Sequence, residues 1–288
     1  MGRGIAGLCA LAGFDTAVAE ADPAARGRVI ALIEESWTRA VATGKLDADR
    51  VRSARARLST VESLPEAGDA EIAIEAVPES LELKVRVFRE LDRACPSARL
   101  LGTNTSSLSI SAIARATATP GRVVGIHFFN PVAAMPLVEI VHAPETSPET
   151  TAAAEEFARA LGKTTVLVRD TPGFATSRLG VALGLEAMRM VEEGVASAGD
   201  IDRAMELGYG HRMGPLKTSD LVGLDVRLSI AAALAAALDP VRFAPPEILR
   251  RQVAKGHTGR KSGRGFYTWD GNETREPEAE KKKDSRGD

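Results

Sequence analysis

Over the first 170 positions, short β-branched runs alternate with longer stretches whose apolar residues recur at helical spacing. Residues 15–20 read as a short strand, and 23–43 as a helix with Pro23 in its first turn and Gly44 as its stop. Residues 70–76 form the next strand, and 79–94 a helix that ends before Pro96. Strands follow at 99–103, 123–127 and 137–142. The helix at 149–161 places Ala154, Phe157, Ala158 and Leu161 on one face, and 164–168 reads as the last strand. Such alternation predicts an α/β fold with a doubly wound, mostly parallel sheet.

After Asp170-Thr171-Pro172-Gly173 the strand pattern stops. Helices are expected at 179–193, from Ser197 (a cap for Asp200) to about Gly208, and from Thr218 or Ser219 to Leu238. A first domain at 1–170 is therefore followed by an all-helical one at 171–270. Residues 271–288, rich in Lys, Glu and Asp, read as a disordered tail. Leu228, Ile230, Ala231, Leu234 and Ala235 make a wide apolar face that fits either a core or a subunit interface.

Composition narrows the classes. A chain of 288 residues, 44% hydrophobic, can bury one large core or two moderate ones. A formal charge of −2 argues against a nucleic-acid or membrane-surface partner. No apolar run approaches the roughly 20 residues that span a bilayer. No signal peptide is evident, so a cytoplasmic protein is expected. Cys9 and Cys95 are too few for a disulfide framework and lack metal-ligand spacing, so no metal is expected.

Candidate chemistry centres on His127, at the carboxyl end of the run Val123-Val124-Gly125-Ile126, where open α/β sheets bind ligands. Twelve residues on, a second strand brings Glu139. An imidazole beside a carboxylate can exchange a proton near neutral pH, although strand ends also place polar residues in loops for structural reasons. Ser106 lies in Thr103-Asn104-Thr105-Ser106-Ser107-Leu108-Ser109, where a hydroxyl could face a substrate or cap the helix at 108–116. Glu20 closes its strand, as a cofactor ligand or a solvated charge.

His127-Phe128-Phe129-Asn130-Pro131, the segment Gly102 to Ile110, and Pro172-Gly173-Phe174 with Arg178 occur in a fixed order. Together they resemble the L-3-hydroxyacyl-CoA dehydrogenase family, including bacterial 3-hydroxybutyryl-CoA dehydrogenases, from about Gly2 to Trp269. The resemblance implies a Rossmann-type domain, NAD as cofactor, a short-chain acyl-CoA substrate and a homodimer through the helical domain. His127 would then be the base that takes the 3-hydroxyl proton, Glu139 its partner, and Ser106 a hydrogen-bond donor to the reacting oxygen. Glu20 would bind the ribose hydroxyls and disfavour a 2′-phosphate. Glu79, Lys84 and Asn130 are implied cofactor contacts, and Ser36 and Lys45 implied CoA contacts.

Three features depart from the family pattern. The chain opens at Met1-Gly2-Arg3-Gly4, with Gly2 in place of the third glycine of the dinucleotide motif; the first strand and two glycines are missing. Gly2 and Gly4 are the cofactor-side glycines that remain, and the expectation is a gene product that starts further upstream. Ser177 stands where the family commonly has an asparagine, leaving a shorter donor for the substrate carbonyl. Arg212 replaces a usual proline, and His211 beside it reads as structural. Competing readings are an L-gulonate-type dehydrogenase and a non-catalytic, crystallin-like protein on the same fold.

Overall fold

The computed structural model describes residues 1–276. It separates into two compact units, with the boundary between Phe174 and Ala175. In the first unit the order is α1 (Gly2–Leu11), β1 (Thr16–Ala19), α2 (Pro23–Ala42), α3 (Ala48–Ala56), β2 (Leu58–Val61), β3 (Ile72–Glu75) and α4 (Leu81–Ala94). Then come β4 (Leu100–Thr103), α5 (Ile110–Ala114), β5 (Val123–Phe128), β6 (Leu137–His142), α6 (Pro148–Ala160) and β7 (Thr164–Arg169).

Five strands hydrogen-bond in the order β3-β4-β5-β6-β7. The pairs β3–β4, β4–β5 and β6–β7 are parallel, whereas β5–β6 is antiparallel. Every residue of β4 and β5 is buried, which explains their unbroken apolar runs: both faces are covered by helices. Gly102 and Gly125 permit this closeness. A Cβ on Gly125 would come within 2.8 Å of Val141 Cβ and 2.9 Å of Ile110 Cδ1, and one on Gly102 within 2.8 Å of Ile126 Cδ1.

β1 and β2 form a separate parallel pair, so the described strands do not make one continuous sheet. α1 joins the two layers by packing. Its Ile5 and Cys9 enter the cluster built on Leu100, Val124, Ile126 and Phe157. Its Ala6 and Ala10 belong instead to the cluster of Val29, Ile33, Trp37 and Leu58. Burial pushes the Cys9 thiol up to about 12, so it behaves as a small hydrophobe.

Neither α3 nor β2 is foreseen by the apolar pattern. α3 is polar, with only Ala54 buried, and β2 is a four-residue strand. α5 is also shorter than expected, and its cap is Ser109, whose side chain accepts from Ala112 N.

The second unit holds α7 (Thr176–Glu192), α8 (Ala198–Tyr209), α9 (Pro215–Val222), α10 (Leu224–Ala237) and α11 (Glu247–Ala254). Ser197 caps α8 by accepting from Asp200 N, as expected. The single long helix from Thr218 or Ser219 is corrected to two, broken at Gly223, whose φ of 108° no helix residue adopts. A second correction adds a hairpin of β8 (Thr268–Asp270) and β9 (Glu273–Arg275) to the helices. Ordered structure thus enters the expected tail, the rest of which, 277–288, lies outside the described residues. The hairpin segment is fastened by Asp220, whose carboxylate accepts from Phe266 N, Tyr267 N and Trp269 Nε1.

Candidate active site

The antiparallel turn from β5 to β6 sets His127 directly opposite Glu139 in the strand register. Cross-strand partners project to the same face, so a spacing of twelve residues becomes a contact. His127 Nδ1 lies 2.7 Å from Glu139 Oε2, and both side chains are buried. A carboxylate at Nδ1 selects the tautomer with its proton there and leaves Nε2 as the basic nitrogen. The Phe129 ring, 4.5 Å from the imidazole centroid, and the Phe174 ring, at 6.0 Å, wall the pair with apolar surface.

A second cluster spans the carboxyl ends of β3 and β4. Glu75 ends β3 and is buried with Lys84 of α4; Lys84 Nζ donates to Glu75 Oε1 at 2.7 Å and to the Val77 carbonyl at 3.3 Å. The same ammonium lies 3.4 Å from Glu79 Oε2. Thr103 Oγ1 donates to the other oxygen of Glu75 at 2.8 Å. Glu79 in turn accepts from Thr105 Oγ1 at 2.5 Å and from Ser106 N at 3.1 Å, with Ser106 Oγ at 3.4 Å. Burial works against charge on Glu79. The Thr105 hydroxyl, Lys84 and the Ser106 amide nevertheless hold its carboxyl below the usual range.

Lys84, which in isolation reads as a surface lysine, is corrected to a buried one that reaches the sheet edge through Glu79. Ser106 is free of the capping role. Thr105 Oγ1 accepts from Leu108 N at 2.9 Å, and Ser109 caps α5. Asn104, not singled out from sequence, links the two clusters: its Oδ1 accepts from Phe128 N at 2.9 Å, next to His127. Asn130 lies in the loop between β5 and β6, where Lys163 Nζ donates to the carbonyls of Val132 and Met135 at 2.7 and 2.8 Å.

The edge fits a dinucleotide. α1 starts at Gly2 without a side-chain cap, and its first helical bond runs from Gly4 N to the Met1 carbonyl. The amides before that bond give a helix start suited to an anion. The space is tight at Gly4, where a Cβ would come within 3.0 Å of Val132 Cγ2, whereas one on Gly2 would lie at an ordinary 3.6 Å from Ala76 Cβ. Ala76 follows β3, so α1 begins beside the same strand ends as Glu79 and Ser106. Glu20 follows β1 and is half-buried, its Oε1 accepting from Asp22 N.

Ser36 and Lys45 are not brought to this edge by any contact. Ser36 is exposed on α2, about 20 Å along the axis from Pro23, and Lys45 is exposed beyond its end. Ser177 lies in the first turn of α7, in the second unit. Sequence reasoning missed Glu75, Asn104 and Lys163. For Glu75 a signal existed: an acid that ends an apolar strand nine residues before a lysine on the next helix.

Comparison with known proteins agrees with this geometry. Residues 1–171 match the family model described as 3-hydroxyacyl-CoA dehydrogenase, NAD binding domain, and residues 173–269 match its C-terminal domain. The chain is 41% identical to a probable 3-hydroxybutyryl-CoA dehydrogenase of Bacillus subtilis, covering 94% of each sequence. It is 42% identical to 3-hydroxybutyryl-CoA dehydrogenase of Mycobacterium tuberculosis, covering 93% of this chain and 95% of that one. Among solved structures, (S)-3-hydroxybutyryl-CoA dehydrogenase PaaH1 from Ralstonia eutropha superimposes with a TM-score of 0.89 at 36% identity, over 94% of this chain and 95% of that one.

Proposed function

Because this chain belongs to the 3-hydroxyacyl-CoA dehydrogenase family, an NAD-dependent oxidoreductase family, we propose that it oxidises the 3-hydroxyl of short-chain L-3-hydroxyacyl-CoA, such as 3-hydroxybutyryl-CoA, reversibly. The observation that supports this most is the buried 2.7 Å contact between His127 Nδ1 and Glu139 Oε2 at the ligand-binding edge of the sheet.

NAD, when bound, supplies the acceptor for the hydride. The start of α1, with Gly2 and Gly4, would hold its pyrophosphate, Glu20 its ribose hydroxyls, and Glu79 and Asn130 the nicotinamide end. His127 takes the hydroxyl proton at Nε2 as the alcohol is oxidised and returns it in the reverse direction. Glu139 keeps the ring in the required tautomer and stabilises the imidazolium that forms. Ser106 donates to the reacting oxygen while its own position is fixed by Glu79. Ser177 would offer a hydroxyl to the substrate carbonyl, and Ser36 and Lys45 would contact CoA.

No helix among the described residues is long and apolar enough to cross a membrane, and the reading is of a cytoplasmic enzyme. We read the second unit as the dimerisation element. Its Leu179, Val222 and Val226 are 70%, 44% and 38% exposed on α7, α9 and α10, apolar side chains that a second copy would cover.

The test is acetoacetyl-CoA-dependent oxidation of NADH, with His127→Gln as the comparison. Turnover that falls with the substitution supports the reading. A folded, NADH-binding protein that turns over no 3-oxoacyl-CoA would overturn it in favour of another hydroxy acid or a non-catalytic role.

A further inference from the structure

Glu75 has no part in proton transfer, yet it is wholly buried and fully engaged. Each contact to its oxygens comes from a donor: Val77 N at 2.6 Å, Lys84 Nζ at 2.7 Å and Thr103 Oγ1 at 2.8 Å. That is the pattern of an ionised carboxylate. Lys84 is the only cation paired with Glu75 or Glu79 among the described residues, so two carboxylates share one ammonium. The ammonium is also unequally placed, at 2.7 Å from Glu75 and 3.4 Å from Glu79. Its charge is committed to the interior, and Glu79, with 39% of its side chain exposed, shows the uncompensated charge to the sheet edge.

We propose that Glu75, Lys84 and Glu79 together give the nicotinamide end of the cofactor site a net negative charge that favours the oxidised cofactor over the reduced one. This rests on the reading above that Glu79 borders the nicotinamide. The oxidised ring is cationic and the reduced ring neutral, while the rest of the dinucleotide is unchanged. A fixed charge beside the ring therefore acts almost entirely on the difference between the two affinities. Burial keeps water from screening Glu75 and Lys84, which lengthens the reach of the imbalance. Glu75 is thus a positioning residue. It never touches the cofactor, but by holding Lys84 it sets how much of the Glu79 charge is left.

The experiment measures Kd for NAD+ and for NADH by calorimetry, without acyl-CoA, on the 288-residue chain and on the isosteric variants Glu75→Gln and Glu79→Gln. Either variant brings the cluster to neutrality. The ratio Kd(NADH)/Kd(NAD+) is expected to fall about threefold to tenfold in each, as one charge several Å away in a medium between protein and water predicts. A merely structural role for Glu75 would move both constants together and leave their ratio fixed. An unchanged ratio in Glu75→Gln beside a reduced one in Glu79→Gln overturns the proposal while sparing the Glu79 reading. An unchanged ratio in both, with cofactor still bound, overturns both. If Glu75→Gln fails to fold, Lys84→Gln decides, because it removes the one ammonium the two carboxylates share: a raised ratio supports the proposal, and a constant one overturns it.

Discussion

His127 and Glu139 face each other across the one antiparallel pairing of the five-stranded sheet, with 2.7 Å between Nδ1 and Oε2. Replacing His127 by Gln removes the proton acceptor. It should lower kcat by about 10²–10⁴ in both directions with little change in KM, since general acid–base catalysis contributes on that order. Glu139→Gln keeps an acceptor oxygen but removes the charge, so steady-state kinetics should show a smaller loss, largest in the reduction direction, which needs a protonated imidazole.

Glu20 follows β1, and we read it as the partner of the ribose hydroxyls. Glu20→Ala removes the repulsion toward a 2′-phosphate. The preference in kcat/KM for NAD+ over NADP+ should fall about tenfold or more, equivalent to ~1.4 kcal/mol. A preference that survives the change would place cofactor selection elsewhere.

Glu79 yields a pH prediction. Burial opposes its charge, but Thr105, Lys84 and Ser106 together bring its folded-state pKa below the ordinary value of 4.5. A depressed carboxylate stabilises the fold fully above that ordinary value, and the contribution is lost as pH falls through the lowered one. The stability gap between the natural chain and Glu79→Gln should be constant across neutral pH in thermal melts. It should close only on acidification.

Gly125 tests the packing beneath the site. A methyl group there meets Val141 Cβ and Ile110 Cδ1 inside normal contact distance, and neither a strand nor the short α5 can withdraw freely. Gly125→Ala should cost about 1–3 kcal/mol in denaturant unfolding, as overpacked cores do. Because Val124 and Ile126 flank it on the strand that carries His127, activity should fall with stability.

Leu179 is 70% exposed on α7. Leu179→Asp puts a charge on the face read as the dimer contact. Light scattering after size exclusion should then show a monomer where the natural chain gives a dimer. The same mass for both proteins would remove Leu179 from the interface.

Much of this site was legible because strands announce it. A strand buried on both faces reads as an unbroken apolar run, and the first polar residue at its end, His127, stands out. That Glu139 would meet it needed only a second strand, although the antiparallel direction of β6 was not visible in its composition. Other features left no pattern. Val222 and Leu224 continue a helical apolar face across Gly223, and only the backbone angle there shows that α9 and α10 are separate. α3 has no apolar stripe to find, since Ala54 is its one buried residue. Lys84 looks like any helix-surface lysine until Glu75, nine residues earlier on a strand, is seen beneath it.

The two-layer construction of the first unit has a dynamic consequence. β1, β2, α2 and α3 adhere to the five-stranded sheet through side chains of α1 and the turn at Leu64–Ala67, with no strand hydrogen-bonded to both sheets among the described residues. Cooperative units in a protein tend to follow hydrogen-bonded supersecondary blocks, so this layer should exchange its amide protons at a lower opening free energy than β4 and β5. Glu20 belongs to the layer that opens first. A dinucleotide gripped at both ends would tie the two blocks together, and the slowing of exchange in β1 on adding cofactor would measure how strongly.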